Sequence, residues 1–226
     1  MLAAGAGSRL ALAGEGQEVL KPLVSLGDKP LLEHVIARLS AAGVRRIVVV
    51  LGYGYRQIER FLSELNPDVE IIPMLNPLPE RENGFSLLQA EGLVGEQFLA
   101  VMADHLIDPA IYRAAVEHRG LGLCVDSAPP PYLVAEATKV LVEDDRIIGI
   151  GKDLKQWNAL DTGVFSLSPL AFQALRRLKD RPRLTVTAMV LELIEMGEPF
   201  QALDVSGSSW IDIDTDEDLK RARELL

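Results

Sequence analysis

Two groups of residues in this chain have the types and spacing to do chemistry on phosphates. The first is Leu2-Ala3-Ala4-Gly5-Ala6-Gly7-Ser8-Arg9-Leu10, followed eleven residues later by Lys21-Pro22-Leu23. Gly5 and Gly7 permit turns that a Cβ would forbid and let a ligand approach the main chain closely. The N–H groups of such a loop form an anion-binding concavity, and Arg9 and Lys21 set two positive charges beside it. That is equipment for a nucleoside triphosphate. The second group is acidic. Asp104 follows the apolar run Phe98–Met102, at the carboxyl end of an expected strand, the edge where open α/β sheets bind ligands. Asp212 and Asp214 flank Ile213, so in an extended segment both carboxylates share one face. Together the three would offer Mg²⁺ the hard oxygen ligands it prefers.

Each group also has plainer readings. A dinucleotide fingerprint wants a third glycine where Leu10 stands, and Gly14 and Gly16 keep the chain irregular past that point. A P-loop is excluded, because no Gly-Lys-Ser/Thr follows. A glycine-rich turn with no ligand would explain Gly5 and Gly7 taken alone. Asp104 could cap a loop, and Asp212 and Asp214 could be solvated charges at a helix entrance.

The elements that must position these groups alternate between short apolar runs and helical periods, which indicates a mainly parallel sheet with helices on both faces. Pro30 opens a helix whose Leu32, Val35, Ile36 and Leu39 follow the 3.6-residue period. Gly43 ends it, and Arg46–Leu51 reads as a buried strand. A helix over 55–65, a strand over 69–73, a proline-rich connection and a helix near Asn83 follow. The next strand is Phe98–Met102, then a helix after Asp108 and a strand around Cys124. Asp126–Tyr132, with three successive prolines, is the best internal boundary. Beyond it, 137–142 and 146–151 flank Glu143-Asp144-Asp145 as a hairpin. A strand over 162–167, two helices and a strand over 202–205 precede a charged C-terminal helix. Thr215 with Asp218 three residues on reads as its N-cap, and Asp216 and Glu217 suit its positive end.

Composition narrows the classes. The 226 residues are enough for one large α/β domain, and 48% of them are hydrophobic, ample for a sizeable core. A net charge of −10 argues against nucleic acid and against a polybasic membrane anchor. A chain this acidic needs local positive charge or a divalent cation to hold a nucleotide. Cys124 is the single cysteine, so no internal disulfide forms and a cytoplasmic setting is the simplest expectation. The longest apolar runs, such as Ile47–Leu51, are far too short to span a bilayer. Only Met1 to Ala3 precede the glycine loop as strand material, so residues upstream of Met1 are expected to be missing.

Leu2–Leu10 with Lys21-Pro22, Met102-Ala103-Asp104-His105, Asp161-Thr162-Gly163 and Trp210–Leu219 together resemble the sugar-phosphate nucleotidyltransferases, in order and spacing, over essentially the whole chain. Segments 136–140, 150–154 and 210–215 are most similar to CTP:inositol-1-phosphate cytidylyltransferases. The resemblance implies a Rossmann-like three-layer α/β/α fold with a mixed, mostly parallel sheet. It implies one nucleotidyltransferase domain over 1–226, with a nucleotide-binding half (1–126) and an acceptor half (127–226). It also implies transfer of CMP from CTP to inositol 1-phosphate, giving CDP-inositol and pyrophosphate with Mg²⁺. Such enzymes often occur fused to a membrane-embedded CDP-alcohol phosphotransferase, so a fused or separate partner of that kind is expected, and a homodimer is possible.

On this resemblance Gly5, Gly7, Ser8 and Arg9 cradle the triphosphate, Leu2 and Ala3 lie beside the base, and Ala4 also belongs to the nucleotide-binding set. Lys21 sits near the α-phosphate and Lys152 holds the attacking phosphate. Mg²⁺ is held by Asp104, Asp212 and Asp214. Asn83 and Gly84 are expected to face the cytosine and Ser86 to bind the nucleotide, although helix capping would explain at least one of the three. His105, Lys139, Asp161, Thr162 and Gly163 are expected around the acceptor, with local packing the alternative for His105 and a structural role the alternative for Lys139. Two rivals remain. The first is the same fold with another acceptor or nucleotide. Phosphocholine, for one, would want an aromatic cage, for which Tyr132, Trp157 and Trp210 are the available rings. The second is a non-catalytic nucleotide-binding regulator, which would be expected to lack Arg9, Lys21 or a metal carboxylate.

Overall fold

A computed structural model describes residues 1–5 and 20–226. Along the chain the elements are β1 (Leu2–Ala3), β2 (Ser25–Leu26), β3 (Lys29–Pro30), α1 (Leu31–Ala41), β4 (Arg46–Leu51), α2 (Tyr55–Glu64), β5 (Glu70–Leu75), α3 (Glu82–Leu88), β6 (Phe98–Val101) and β7 (His105–Ile107). They continue with α4 (Pro109–Glu117), β8 (Gly122–Asp126), β9 (Lys139–Glu143), β10 (Arg146–Gly151), β11 (Ala159–Leu167), α5 (Leu170–Arg177), α6 (Val186–Glu195), β12 (Gln201–Asp204), β13 (Trp210–Asp212) and α7 (Asp216–Glu224).

The central sheet is mixed and mostly parallel. β5, β4 and β1 pair in parallel, and a parallel bridge between Leu2 and Met102 continues the sheet to β6. Then come β11, β8 and β12, with β11 antiparallel to both of its neighbours β6 and β8, and β12 parallel to β8. Thus β11 alone runs against the shared direction of that series. The hairpin β9–β10 extends the far edge, and β9 also pairs with β11. Because β11 comes from beyond the proline-rich boundary yet lies between β6 and β8, the N- and C-terminal halves interlock within one sheet.

Strand alternation divides the core into two layers. Ile47, Val49 and Leu51 of β4 face one cluster with α1, α2, α4 and α7, while Val48 and Val50 face the other with α3, α5 and α6. The expected stripe of α1 is buried, with Leu31 added. Burying each such Leu or Ile contributes about 1.5–3 kcal/mol. At the start of the sheet the Met1 ammonium is buried and donates to the Val48 carbonyl (2.8 Å), and burial lowers its pKa to about 5.

Two ends of the fold bear directly on the acidic groups. The capping box is present: the Thr215 side chain accepts from the Asp218 N–H and Asp218 reaches back to the Thr215 N–H. β7, which the sequence pattern does not reveal, pairs antiparallel with β13 and sets Asp212 opposite His105. The Ile213 N–H then donates to the Asp104 carbonyl (3.0 Å).

A second tie joins the start of α3 to the loop before α6. The Gly84 N–H donates to the Leu184 carbonyl (2.9 Å), Leu184 N–H to the Arg81 carbonyl (3.1 Å), and Asn83 Oδ1 accepts from Val186 N–H (2.9 Å). A Cβ at Gly84 would lie 2.8 Å from the Leu184 carbonyl oxygen. Gly84→Ala should therefore push the two segments apart and cost about 1–3 kcal/mol, the usual penalty for overpacking, measured by urea unfolding.

Candidate functional site

A cavity of about 650 Å³ opens where the carboxyl ends of β1 and β6 meet the β7–β13 ribbon. Its wall carries Lys21, Asp104, His105, Asp212 and Asp214 in one corner. Lys21 starts a short 3₁₀ turn over Lys21–Leu23, closed by the Val24 N–H donating to the Lys21 carbonyl (3.1 Å), and its side chain is buried. Its ammonium lies 3.2 Å from Asp104 Oδ2 and 3.8 Å from Asp212 Oδ1, and it forms a short hydrogen bond to Asp214 Oδ1. Asp104 is delivered by the end of β6, and the other two by the end of β13. The β7–β13 register makes them neighbours although more than a hundred residues separate them.

The electrostatics follow from crowding. Burial works to lower the pKa of Lys21, but Asp104, Asp212 and Asp214 outweigh it and hold the ammonium charged above the ordinary lysine value. Burial would raise Asp104, yet His105 and Lys21 keep it well below the usual carboxylate range. Asp212 moves the other way: burial and the neighbouring Asp104 and Asp214 raise it, against His105 and Lys21. For His105, burial favours the neutral ring. The carboxylates of Asp212, Asp104 and Asp161 overcome that and lift it to about 9. Its Nδ1 donates to Asp104 Oδ1 (3.0 Å) and lies 3.7 Å from Asp212 Oδ1.

The donor set fits a small divalent cation. Ligand atoms of Asp104, His105 and Asp212 lie within 4.8 Å of one another. Asp212 Oδ1 is buried with no hydrogen-bond partner among the described residues, the kind of orphaned acceptor that a cation satisfies. The carboxylates supply hard oxygens, as Mg²⁺ requires. His105 therefore belongs to the acidic corner, and Asp214 joins it through Lys21.

The remaining expected site residues divide. Leu2, Ala3, Gly5, Asn83, Lys152, Asp161 and Gly163 line the same cavity. Gly7, Ser8 and Arg9 lie outside the described residues. Ala4, Gly84, Ser86, Lys139 and Thr162 are not in the cavity wall, each for a packing reason. The Ala4 carbonyl and Cβ crowd Gly52, where an added Cβ would come within 2.5 Å of that oxygen. Gly84 serves the close approach to Leu184, and buried Ser86 accepts from Asn76 Nδ2 (2.9 Å). Lys139 sits in the ladder between β10 and β11. The Thr162 hydroxyl, fully buried, donates to the Cys124 carbonyl (2.8 Å). Asn83 does both things: it lines the cavity and accepts from the first N–H of α6.

Other wall residues had no local sequence signal. Val186 and Thr187 reach the cavity from the start of α6, held there by the tie to Asn83. Glu82 does so from a left-handed conformation (φ 76°), ion-paired to Arg183. Trp210 is buried with Nε1 donating to Asp126 (2.9 Å), so its ring is fixed as wall.

Residues 1–140 match the MobA-like NTP transferase domain. The chain belongs to this NTP transferase family. It is 38% identical over 228 residues to the bifunctional IPC transferase and DIPP synthase of Aquifex aeolicus and 35% identical to the protein of that name from Thermococcus kodakarensis. Both matches cover 100% of this chain but 51% and 50% of those proteins, so the NTP transferase chain spans about half the length of these relatives. The solved structure of the inositol-1-phosphate CTP transferase from T. maritima superposes with a TM-score of 0.88 at 29% identity, over 99% of this chain and 92% of that one.

His105 makes stability pH-dependent. Its folded value, about 9, lies above the ordinary 6.5, so its charged form adds stability that is complete below pH 6.5 and fades as the pH rises through 9. In EDTA, the gap in urea midpoint between the protein and a His105→Gln variant should narrow over that interval. A gap that widens toward pH 9 would contradict this sign.

Proposed function

We propose that this domain transfers CMP from CTP to inositol 1-phosphate, releasing pyrophosphate and forming CDP-inositol. The observation that carries the reading is the corner itself, in which Lys21, Asp104, Asp212 and Asp214 meet in a cavity whose wall also includes Lys152. The names of the relatives and of the superposed structure support CTP and inositol 1-phosphate as the pair.

The reaction forms a P–O bond between the acceptor phosphate and the α-phosphorus and breaks the α–β bridge. A phosphate monoester is already mostly dianionic at neutral pH, its second pKa being about 6, so no general base is needed. The protein must align two polyanions and neutralise the charge that grows between them. Mg²⁺ held by Asp104, Asp212 and Asp214 would supply a divalent charge to the phosphates. Lys21 meets the α-phosphate from the same corner, and Arg9, with Gly5, Gly7 and Ser8, receives the leaving pyrophosphate. Asn83 and the Leu2–Ala3 backbone border the base. Lys152 holds the acceptor phosphate, with Asp161 and Gly163 beside it.

In this reading residues 1–126 serve the nucleotide and 127–226 the acceptor within a single domain. The three rings do not make an aromatic cage for a quaternary ammonium: Trp157 lies outside the cavity wall, the Tyr132 ring in the wall is covered by the Arg221 guanidinium (4.8 Å to its centroid), and Trp210 is tied to Asp126. The relatives are named as bifunctional, with a DIPP synthase beside the IPC transferase, which fits the expected CDP-alcohol phosphotransferase as the partner that consumes the product. No helix among the described residues is long and apolar enough to cross a membrane.

Pyrophosphate release should be assayed over the four ribonucleoside triphosphates against inositol 1-phosphate, glucose 1-phosphate and phosphocholine. CTP with inositol 1-phosphate should be preferred, and silence in every combination would favour a binding protein. Asp104→Ala should keep its circular dichroism and cooperative unfolding yet lose magnesium-dependent turnover; near-normal rates would remove the proposed metal site. Lys152→Ala should lower the rate by about 10²–10³, by analogy with loss of a transition-state donor, and a rate within twofold of normal would remove Lys152 from the acceptor site.

A further inference from the structure

The segment Asp161-Thr162-Gly163 interrupts β11. Asp161 lies opposite Val125 of β8 and Phe165 opposite Leu123, so four residues advance on β11 while two advance on its partner. Pairing with β6 begins only at Val164. Such a bulge bends a strand and re-aims what it carries. Two hydrogen bonds and one backbone angle define this one. The Thr162 hydroxyl is anchored to the Cys124 carbonyl (2.8 Å). Asp161 Oδ1 accepts from the Gly163 N–H (2.7 Å), closing a local turn. Gly163 takes φ +81°, a conformation that favours glycine.

The bulge ends on His105. A Cβ at Gly163 would lie 2.8 Å from His105 Cδ2 and 3.0 Å from Nε2. The ring is therefore backed by bare backbone along its Cδ2 side, while its Nδ1 side faces Asp104 and Asp212. The next neighbour of such a Cβ, Met102 Cγ at 3.5 Å, is at ordinary contact distance, so besides the backbone angle it is the His105 ring that leaves no room for a side chain here.

We infer that the 161–163 bulge is a positioning element: Gly163 sets the His105 ring against Asp104 and Asp212, and so orients the carboxylates that hold the cation. The inference rests on the reading of that corner as a cation site. Thr162 and Asp161 act through Gly163, which gives the buried Thr162 a role although it touches no part of the cavity. Partners that orient metal ligands in this way are typically worth 10–100-fold in metal affinity.

A double-mutant cycle read by Mn²⁺ calorimetry tests this. Gly163→Ala is strained by its φ whatever it touches, so the single variant alone decides nothing. In the His105 protein it should weaken Mn²⁺ binding by about tenfold, the lower end of that range. In a His105→Ala background, with no ring to displace, it should cause less than a twofold further loss, while the fall in melting temperature persists in both. Equal losses in the two backgrounds, or none in either, would overturn the inference. Thr162→Val, which keeps the shape and removes the donor, should weaken Mn²⁺ in the same direction and shift the cross-peak between the His105 Hδ2 and Gly163 Hα protons. An unmoved cross-peak and affinity would exclude Thr162 from the device. Asp212→Asn keeps the two questions apart, because it must weaken Mn²⁺ if the corner holds a cation, whatever the bulge does.

Discussion

Three carboxylates crowded into one corner of a cavity repel each other, and the site depends on the positive charge set among them. Lys21 supplies it directly and His105 supplies more. The shifts of all four groups express this one balance: Lys21 and His105 are held charged, Asp104 is held ionised, and Asp212, farther from relief, is pushed up. A corner with excess negative potential and a buried oxygen that accepts no hydrogen bond among the described residues suits a divalent cation and the phosphates that come with it. The same charge density would deter a bare polyanion.

The backbone arrangement that creates the corner is small. β7 and β13 contribute three residues each, and their register brings His105 opposite Asp212. The Ile213–Asp104 backbone bond locks the second acidic segment to the first. α7, begun by the capping box at Thr215, follows immediately and fixes where the segment can go. Around this corner the wall is composite. β1 and β6 form one side, and the tie between the start of α3 and the start of α6 forms another. The interrupted strand β11 reaches in from the acceptor half. The two halves of the chain could not supply these groups as separate units, because β11 is hydrogen-bonded on both sides by strands of the other half.

Much of this was legible beforehand. The α1 stripe, the bounds of β4, the hairpin β9–β10 and the cap at Thr215 all follow from local periodicity and turn chemistry, which depend on neighbours only a few residues away. The i, i+2 spacing of Asp212 and Asp214 and the place of Asp104 after an apolar run carried the acidic cluster for the same reason. What local pattern did not carry was β7, too short for any period to register, and the part His105 takes in the corner. Gly84 and Ser86 read as ligand residues because small residues at a helix start serve ligands and packing equally well. Their partners, Leu184 and Asn76, show packing.

The sequence by itself determined the inventory: a layered α/β domain, a glycine-rich turn with nearby cations, and carboxylates at strand ends. Those properties are local, fixed by side-chain type and spacing of a few residues. Only the tertiary structure decided which of them meet. The distance between Lys21 and Asp214, the backing of His105 by Gly163 and the delivery of Val186 and Thr187 to the cavity wall are contacts between remote segments. Their geometry comes from strand order, register and a bulge, and these emerge only once both cores have packed against a single twisted sheet.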